Sequence, residues 1–153
     1  MSPKSLFTLF ARAEMVTWAL LISALVVRAT VPDLAIAVTI SGGIHGFVFL
    51  GYGITAALVG VNQRWGLGRI LAGISLAIVP FATYPFERVV ERRALLEGDW
   101  RREASDHAGD HGWFDRLFRW FIKRPILLLV TLVATAVIMF TVLLVIGPPG
   151  GSK

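Results

Sequence analysis

The sequence predicts an all-α fold: a polytopic helical membrane protein with four transmembrane helices and one amphipathic interfacial helix. Three observations predict it. Of the 153 residues, 56% are hydrophobic, and the mean hydropathy is +0.71. Only 16% are charged, where a soluble domain carries roughly a quarter. The apolar residues fall in long runs, and a span needs about 20 of them to cross a hydrocarbon core about 30 Å thick. One small soluble core could not hide so many.

The first span is expected from about Leu6 to Val27, with Arg12 and Glu14 interrupting its N-terminal part. Arg28, Pro32 and Asp33 mark a turn. The second runs from about Ile36 to Val61 and is the richest in glycine. Asn62, Gln63, Arg64 and Trp65 end it, and so short a connection makes spans two and three a helical hairpin. The third is expected from about Leu67 to Phe86, kinked by Pro80.

Residues 87–124 form the long polar segment. Glu87 to Glu97 reads as a helical extension, and Ser105 to Gly112 as a loop. From Trp113 to Arg124 a helical projection puts Trp113, Phe114, Leu117, Phe118 and Phe121 on one face. Asp115, Arg116, Arg119 and Lys123 take the other, as in a helix lying in the headgroup plane. The fourth span, Ile126 to Gly147, carries no charge, and its threonines can bond back to their own helix. The expected division is therefore a three-helix core over 1–93, a polar cytoplasmic stretch with the interfacial helix over 94–124, and the last span with its tail over 125–153.

The net charge of +5 follows from the basic flanks of the spans. No basic stripe with interleaved aromatics is present, so no nucleic-acid partner is expected. Segment 87–124 carries nine Lys or Arg, which places it in the cytoplasm and both termini outside. The chain has no cysteine, which excludes disulfides and thiolate chemistry. The first apolar run is too long, and too marked by Glu14, to be a signal peptide.

Ionisable residues inside a span are expensive and usually paired. Glu14 and His45 lie at nearly matching depths, so a hydrogen bond between them is geometrically possible. His45, Phe49 and Tyr52 form one stripe at i, i+4, i+7, with Ser41 one turn earlier. Tyr52 and Ser41 are placed to orient the imidazole. Two readings stay open: a site that accepts a proton or cation, and an inert polar network that fixes helix register. Gly42, Gly46, Gly53 and Gly60 share a narrow face suited to close helix packing, within the chain or with a second copy.

His107 and His111, with Asp106 and Asp110, offer ligand types at helical spacing. Gly109 and Gly112 oppose a helix there, so a solvated loop and no metal are expected. No cofactor is expected, and no nucleophile lies beside a recognisable base, which argues against an enzyme.

Spans one to three resemble the YdzA-like family of small bacterial integral membrane proteins of unknown function. The resemblance covers about residues 5–93. It rests on Glu14 early in span one and on Gly42, His45, Gly46, Phe49 and Tyr52 in span two. Trp65 and the pair Pro80-Phe81 complete it. It implies a bacterial plasma membrane and a three-helix core, and no activity. Members often have Glu-Gly in span one, whereas Met15 follows Glu14 here, and they usually end after three spans.

The expected function is non-catalytic: a structural or accessory component that packs with itself or with another membrane protein. The alternative is a small homo-oligomeric proton or cation channel or transporter using Glu14 and His45.

Overall fold

The computed structural model describes residues 1–31 and 35–146, and it is helical with no strand among them. Helix α1 spans Pro3–Thr30 and α2 Ala35–Asn62. Helix α3 (Leu67–Ser75) runs into a 3-10 turn over Leu76–Ile78, and α4 spans Thr83–Arg92. A 3-10 turn over Ala108–His111 precedes α5 (Trp113–Ile122) and α6 (Pro125–Ile146). The chain divides into two compact units, Met1–Gly98 and Asp99–Lys153.

Helix α1 starts where Ser2 caps it, its hydroxyl accepting from the Ser5 N–H at 3.1 Å with proline at the first helical position. The turn after α2 is closed by backbone bonds from Trp65 N to Gly60 O and from Arg64 N to Val61 O. That pairing is a Schellman motif, and Arg64 takes its left-handed position at φ 53°. The same motif ends α4, with Ala94 at φ 55°. Helix α1 packs along α2 and also against α4. Phe7 is fully buried at this junction, with ring neighbours Tyr52, Trp65 and Phe86. The Trp65 indole donates to Leu95 O at 2.9 Å and ties the end of the unit to this cluster.

The third expected span differs from the structure: the chain from Leu67 to Phe86 is not one helix. Pro80 lacks an N–H and pushes the residue before it out of helical geometry. Val79 accordingly sits at φ −97°, ψ 120°, and Phe81 at φ 65°. The turn is closed from Ala82 N to Val79 O at 3.1 Å. Helix α1 braces both sides of the break. The Trp18 indole donates to Ala77 O at 3.1 Å, and the Thr83 hydroxyl donates to Ala11 O at 3.0 Å. The first bond satisfies the Ala77 carbonyl at the interruption, as irregular backbone in an apolar setting requires, and the second gives the buried Thr83 hydroxyl its acceptor.

Among the described residues, three helices are long and apolar enough to cross a membrane: Pro3–Thr30, Ile36–Asn62 and Pro125–Val142. The stretch Leu67–Ile78 is apolar but shorter.

The second unit is organised around Asp110, which is 1% exposed. Its carboxylate accepts from Arg101 Nη1 at 2.9 Å, and from the Ser105 N–H and hydroxyl at 2.8 Å each. Arg119 donates to the Asp110 carbonyl and is itself buried. Within the segment expected as a solvated loop, residues 105–107, His111 and Gly112 are exposed as expected, while Asp110 forms a buried charged centre. In α6, Thr131 and Thr135 donate to Leu127 O and Thr131 O at 2.8 Å, the back-bonding the sequence suggested.

Candidate functional site

The polar centre of the first unit lies where α1 meets α2. Glu14 comes about 17 Å along α1, at eleven residues past Pro3, and His45 about 15 Å along α2. The two helices bring them together: Glu14 Oε2 lies 3.8 Å from His45 Nδ1. Glu14 is fully buried and His45 is 7% exposed. Among the described residues, neither Glu14 oxygen has a hydrogen bond. The separation exceeds a direct hydrogen bond but keeps the two groups in strong electrostatic contact.

Thr17 supplies the link. Its hydroxyl lies 3.1 Å from His45 Nδ1 and 3.1 Å from the Glu14 main-chain oxygen. The Trp18 ring lies against the imidazole, tilted by 52° with ring centres 4.4 Å apart, and Phe49 flanks it at 6.2 Å. Tyr52 is fully buried against Phe7, and its hydroxyl has no hydrogen-bond partner among the described residues.

Ser41 does not orient the imidazole. Its hydroxyl donates back to Ala37 O at 2.7 Å, the usual recourse of a serine inside a helix. Thr17 occupies that role from the opposite helix. Thr17 and Trp18 stand three and four residues after Glu14, on the same face of α1, and that spacing was the signal that could have found them.

A second buried carboxylate is Glu87 on α4, which the sequence marks only as part of a charged helical extension. It is fully buried, and its Oε1 accepts from the Thr8 hydroxyl at 2.7 Å. One turn further, Lys4 Nζ pairs with Glu91 at 2.9 Å, and Arg88 Nη1 pairs with it at 3.0 Å. The Lys4 bond first, and the Arg88 bond second, hold the Glu91 carboxyl below the usual carboxylate range.

The glycines of α2 face two different neighbours. A Cβ at Gly42 would meet Leu21 of α1 at 3.9 Å, while one at Gly53 would meet Ile74 of α3 at 3.9 Å. At Gly60 a Cβ would stand 2.7 Å from Ile70 Cγ1 and 3.2 Å from Trp65, and at Gly51 it would run into the Phe10 ring. Gly46 is half-buried. The tightest approaches of α2 are therefore at Gly51 and Gly60, and both partners lie within the chain.

In α5 the exposed residues include Trp113, Phe114, Leu117 and Trp120, while Phe118, Arg119 and Ile122 are buried. The expected faces are thus redrawn by the Asp110 centre, which pulls Arg119 inward and leaves Trp120 outside. Arg124 stacks over Trp120 at 4.3 Å.

Long apolar helices, a break braced by side chains and a buried carboxyl between two of the helices define an α-helical membrane protein. Within that class the chain belongs to the family described as a domain of unknown function (DUF3817), whose match covers residues 4–92, the helices α1 to α4. A Streptomyces coelicolor protein named "Putative membrane protein SCO5905" is 33% identical over 91 residues. The match takes in 59% of this chain and 11% of that protein's length, so the chain spans about a ninth of the relative. No solved structure matches.

Proposed function

We propose that the protein is a non-catalytic structural or accessory component of a bacterial plasma membrane, packing with itself or with another membrane protein. One observation carries this reading. The matching segment recurs as 11% of a much longer chain named "Putative membrane protein SCO5905", where it is joined to further chain. Helix α6 supports it, since Ile126, Leu129, Val130, Ile138 and Val145 are each more than half exposed. Such a helix needs lipid or a protein partner around it.

In this reading the family segment is of the YdzA-like kind, and the bilayer is crossed by α1, α2 and α6 rather than by the four expected spans. The two helical pieces on either side of Pro80 form a re-entrant pair, since the Trp65 indole before α3 bonds Leu95 O after α4. Lys4 near the start of α1 pairs with Glu91, so the N-terminus of α1 and the start of segment 87–124 share one side. Helix α5 lies in the headgroup plane, its exposed tryptophans and basic residues suited to the interface. The basic segment 87–124 faces the cytoplasm. Native mass spectrometry of the protein extracted from its own membrane tests the reading. A stoichiometric second protein, or a stable complex of copies, is expected. A monomer that alone moves solute in liposomes would overturn it.

A second reading is a small homo-oligomeric proton or cation channel or transporter. It is favoured by the approach of two buried ionisable groups, Glu14 and His45, to 3.8 Å. Flux in liposomes that vanishes in Glu14→Gln and His45→Ala is its expected signature. Unchanged flux in both variants would reject the site.

A further inference from the structure

A carboxylate buried without hydrogen bonds is costly in an apolar setting, and it escapes by protonation or by pairing with a cation. At Glu14 both escapes are at hand. It is fully buried, neither oxygen is hydrogen-bonded among the described residues, and His45 Nδ1 is 3.8 Å away. The other groups do not compete. From α2, Tyr52 brings only a neutral hydroxyl, and from α4, the Glu87 carboxylate accepts from Thr8 through Oε1 and lies 3.7 Å from Arg88 Nε through Oε2. Arg12, on α1 itself, is exposed. The break that follows α3 contributes the Ala77 carbonyl, which the Trp18 indole already satisfies.

Two low-cost states then exist, and each carries one proton. In the first, Glu14 is a neutral acid and His45 a neutral imidazole whose Nδ1 accepts from the Thr17 hydroxyl. In the second, the carboxyl O–H bond has broken and a proton is bound at Nδ1, giving a carboxylate beside an imidazolium. The Thr17 hydroxyl then turns to the Glu14 main-chain oxygen and accepts from Nδ1. Its equal 3.1 Å distances to the two positions allow either arrangement. Removing the proton leaves a bare carboxylate, and adding a second leaves an imidazolium without its counter-ion.

Thr17 also lines an open groove of about 700 Å³ along α1, together with Ser5, Thr8, Arg12 and the Lys4–Glu91 pair. The polar groups of that groove reach the buried pair at Thr17.

We propose that Glu14 and His45 form an intramembrane binding site for a single proton, exchanged through Thr17 with the groove along α1. The inference rests on the site of the second reading and not on transport.

The test is infrared and nitrogen-15 histidine spectroscopy on the full chain in lipid nanodiscs, between about pH 5 and pH 8 where an ordinary histidine titrates. A protonated-carboxyl band that is lost in Glu14→Gln is expected. Its intensity and that of the His45 imidazolium signal should sum to one proton per chain throughout. His45→Gln should leave the band at full intensity. A carboxylate beside a neutral imidazole in the wild type, or two groups titrating independently, would overturn the proposal without needing any variant to fold. Thr17→Val should slow deuterium exchange of the carboxyl, and an unchanged rate would overturn the route. Flux in liposomes separates the two ideas: cation flux with Glu14 ionised and His45 neutral rejects the proton site alone. A one-proton pair without flux supports this site and rejects transport.

Discussion

Phe7→Ala should be among the most damaging single truncations in the first unit, and its cost can be worked from its neighbours. The ring is fully buried and lies 5.8 Å from Tyr52, 5.6 Å from Trp65 and 6.3 Å from Phe86. An aromatic pair is worth about 0.5–1.5 kcal/mol beyond area burial, so three pairs give roughly 1.5–4.5 kcal/mol. In a soluble core Phe→Ala costs about 3–5 kcal/mol, part of which is transfer from water. That part shrinks in a membrane, where lipid tails are as apolar as the core. A loss of roughly 2–4 kcal/mol is expected. Leu20→Ala, on the same helix but 52% exposed, should stay within about 0.5 kcal/mol of wild type. Reversible unfolding in mixed micelles measures both. A Phe7→Ala protein as stable as Leu20→Ala would refute the idea that this aromatic cluster joins α1, α2 and α4.

Gly60→Leu should lower thermal stability in detergent more than Leu129→Ala, because a Cβ at Gly60 already meets Ile70 at 2.7 Å while Leu129 is 62% exposed; equal melting temperatures would contradict the close approach. Asp110→Ala should loosen the segment 99–124 by roughly 3 kcal/mol, since Arg119 stays buried without its carboxylate. Faster proteolysis there, and none added by Asp106→Ala, is the expected result. The Glu91 carboxyl is held low in the fold by Lys4 and Arg88, so its contribution is complete above the unfolded value of about 4.3 and fades as pH falls through the folded value. Acid unfolding followed by circular dichroism should show that loss in wild type, weakened by salt and missing in Glu91→Gln.

What the sequence made legible follows from which interactions are periodic. Helices α1, α2 and α6 are visible because length and apolarity alone specify them. The Glu14–His45 approach is visible because depth in a span is counted from its ends, at 1.5 Å per residue. Pro80 announced a disturbance but not its size. A kink and a full break differ in whether neighbours satisfy the freed backbone groups, and here Trp18 does so for Ala77 O from 59 positions away, while Thr83 anchors the far side of the break to Ala11 O, 72 positions away. No local pattern records a bond of that range. The same holds for Asp110, whose partners Arg101 and Ser105 lie in a stretch that composition marks only as polar.

The Ser41 and Thr17 exchange shows how the site itself escaped a reading along one helix. A hydroxyl one turn from His45 on its own helix is nearer in sequence, yet its best acceptor is the carbonyl beneath it. Thr17 bonds to a main-chain carbonyl in the same way, but that carbonyl is Glu14's, so the local bond holds the hydroxyl against the imidazole beside Glu14. A buried proton site on a helix pair therefore needs more than two ionisable groups at matching depth. It needs a third polar side chain whose own helix directs it into the seam, and in this chain the triplet Glu14, Thr17 and His45 meets that condition.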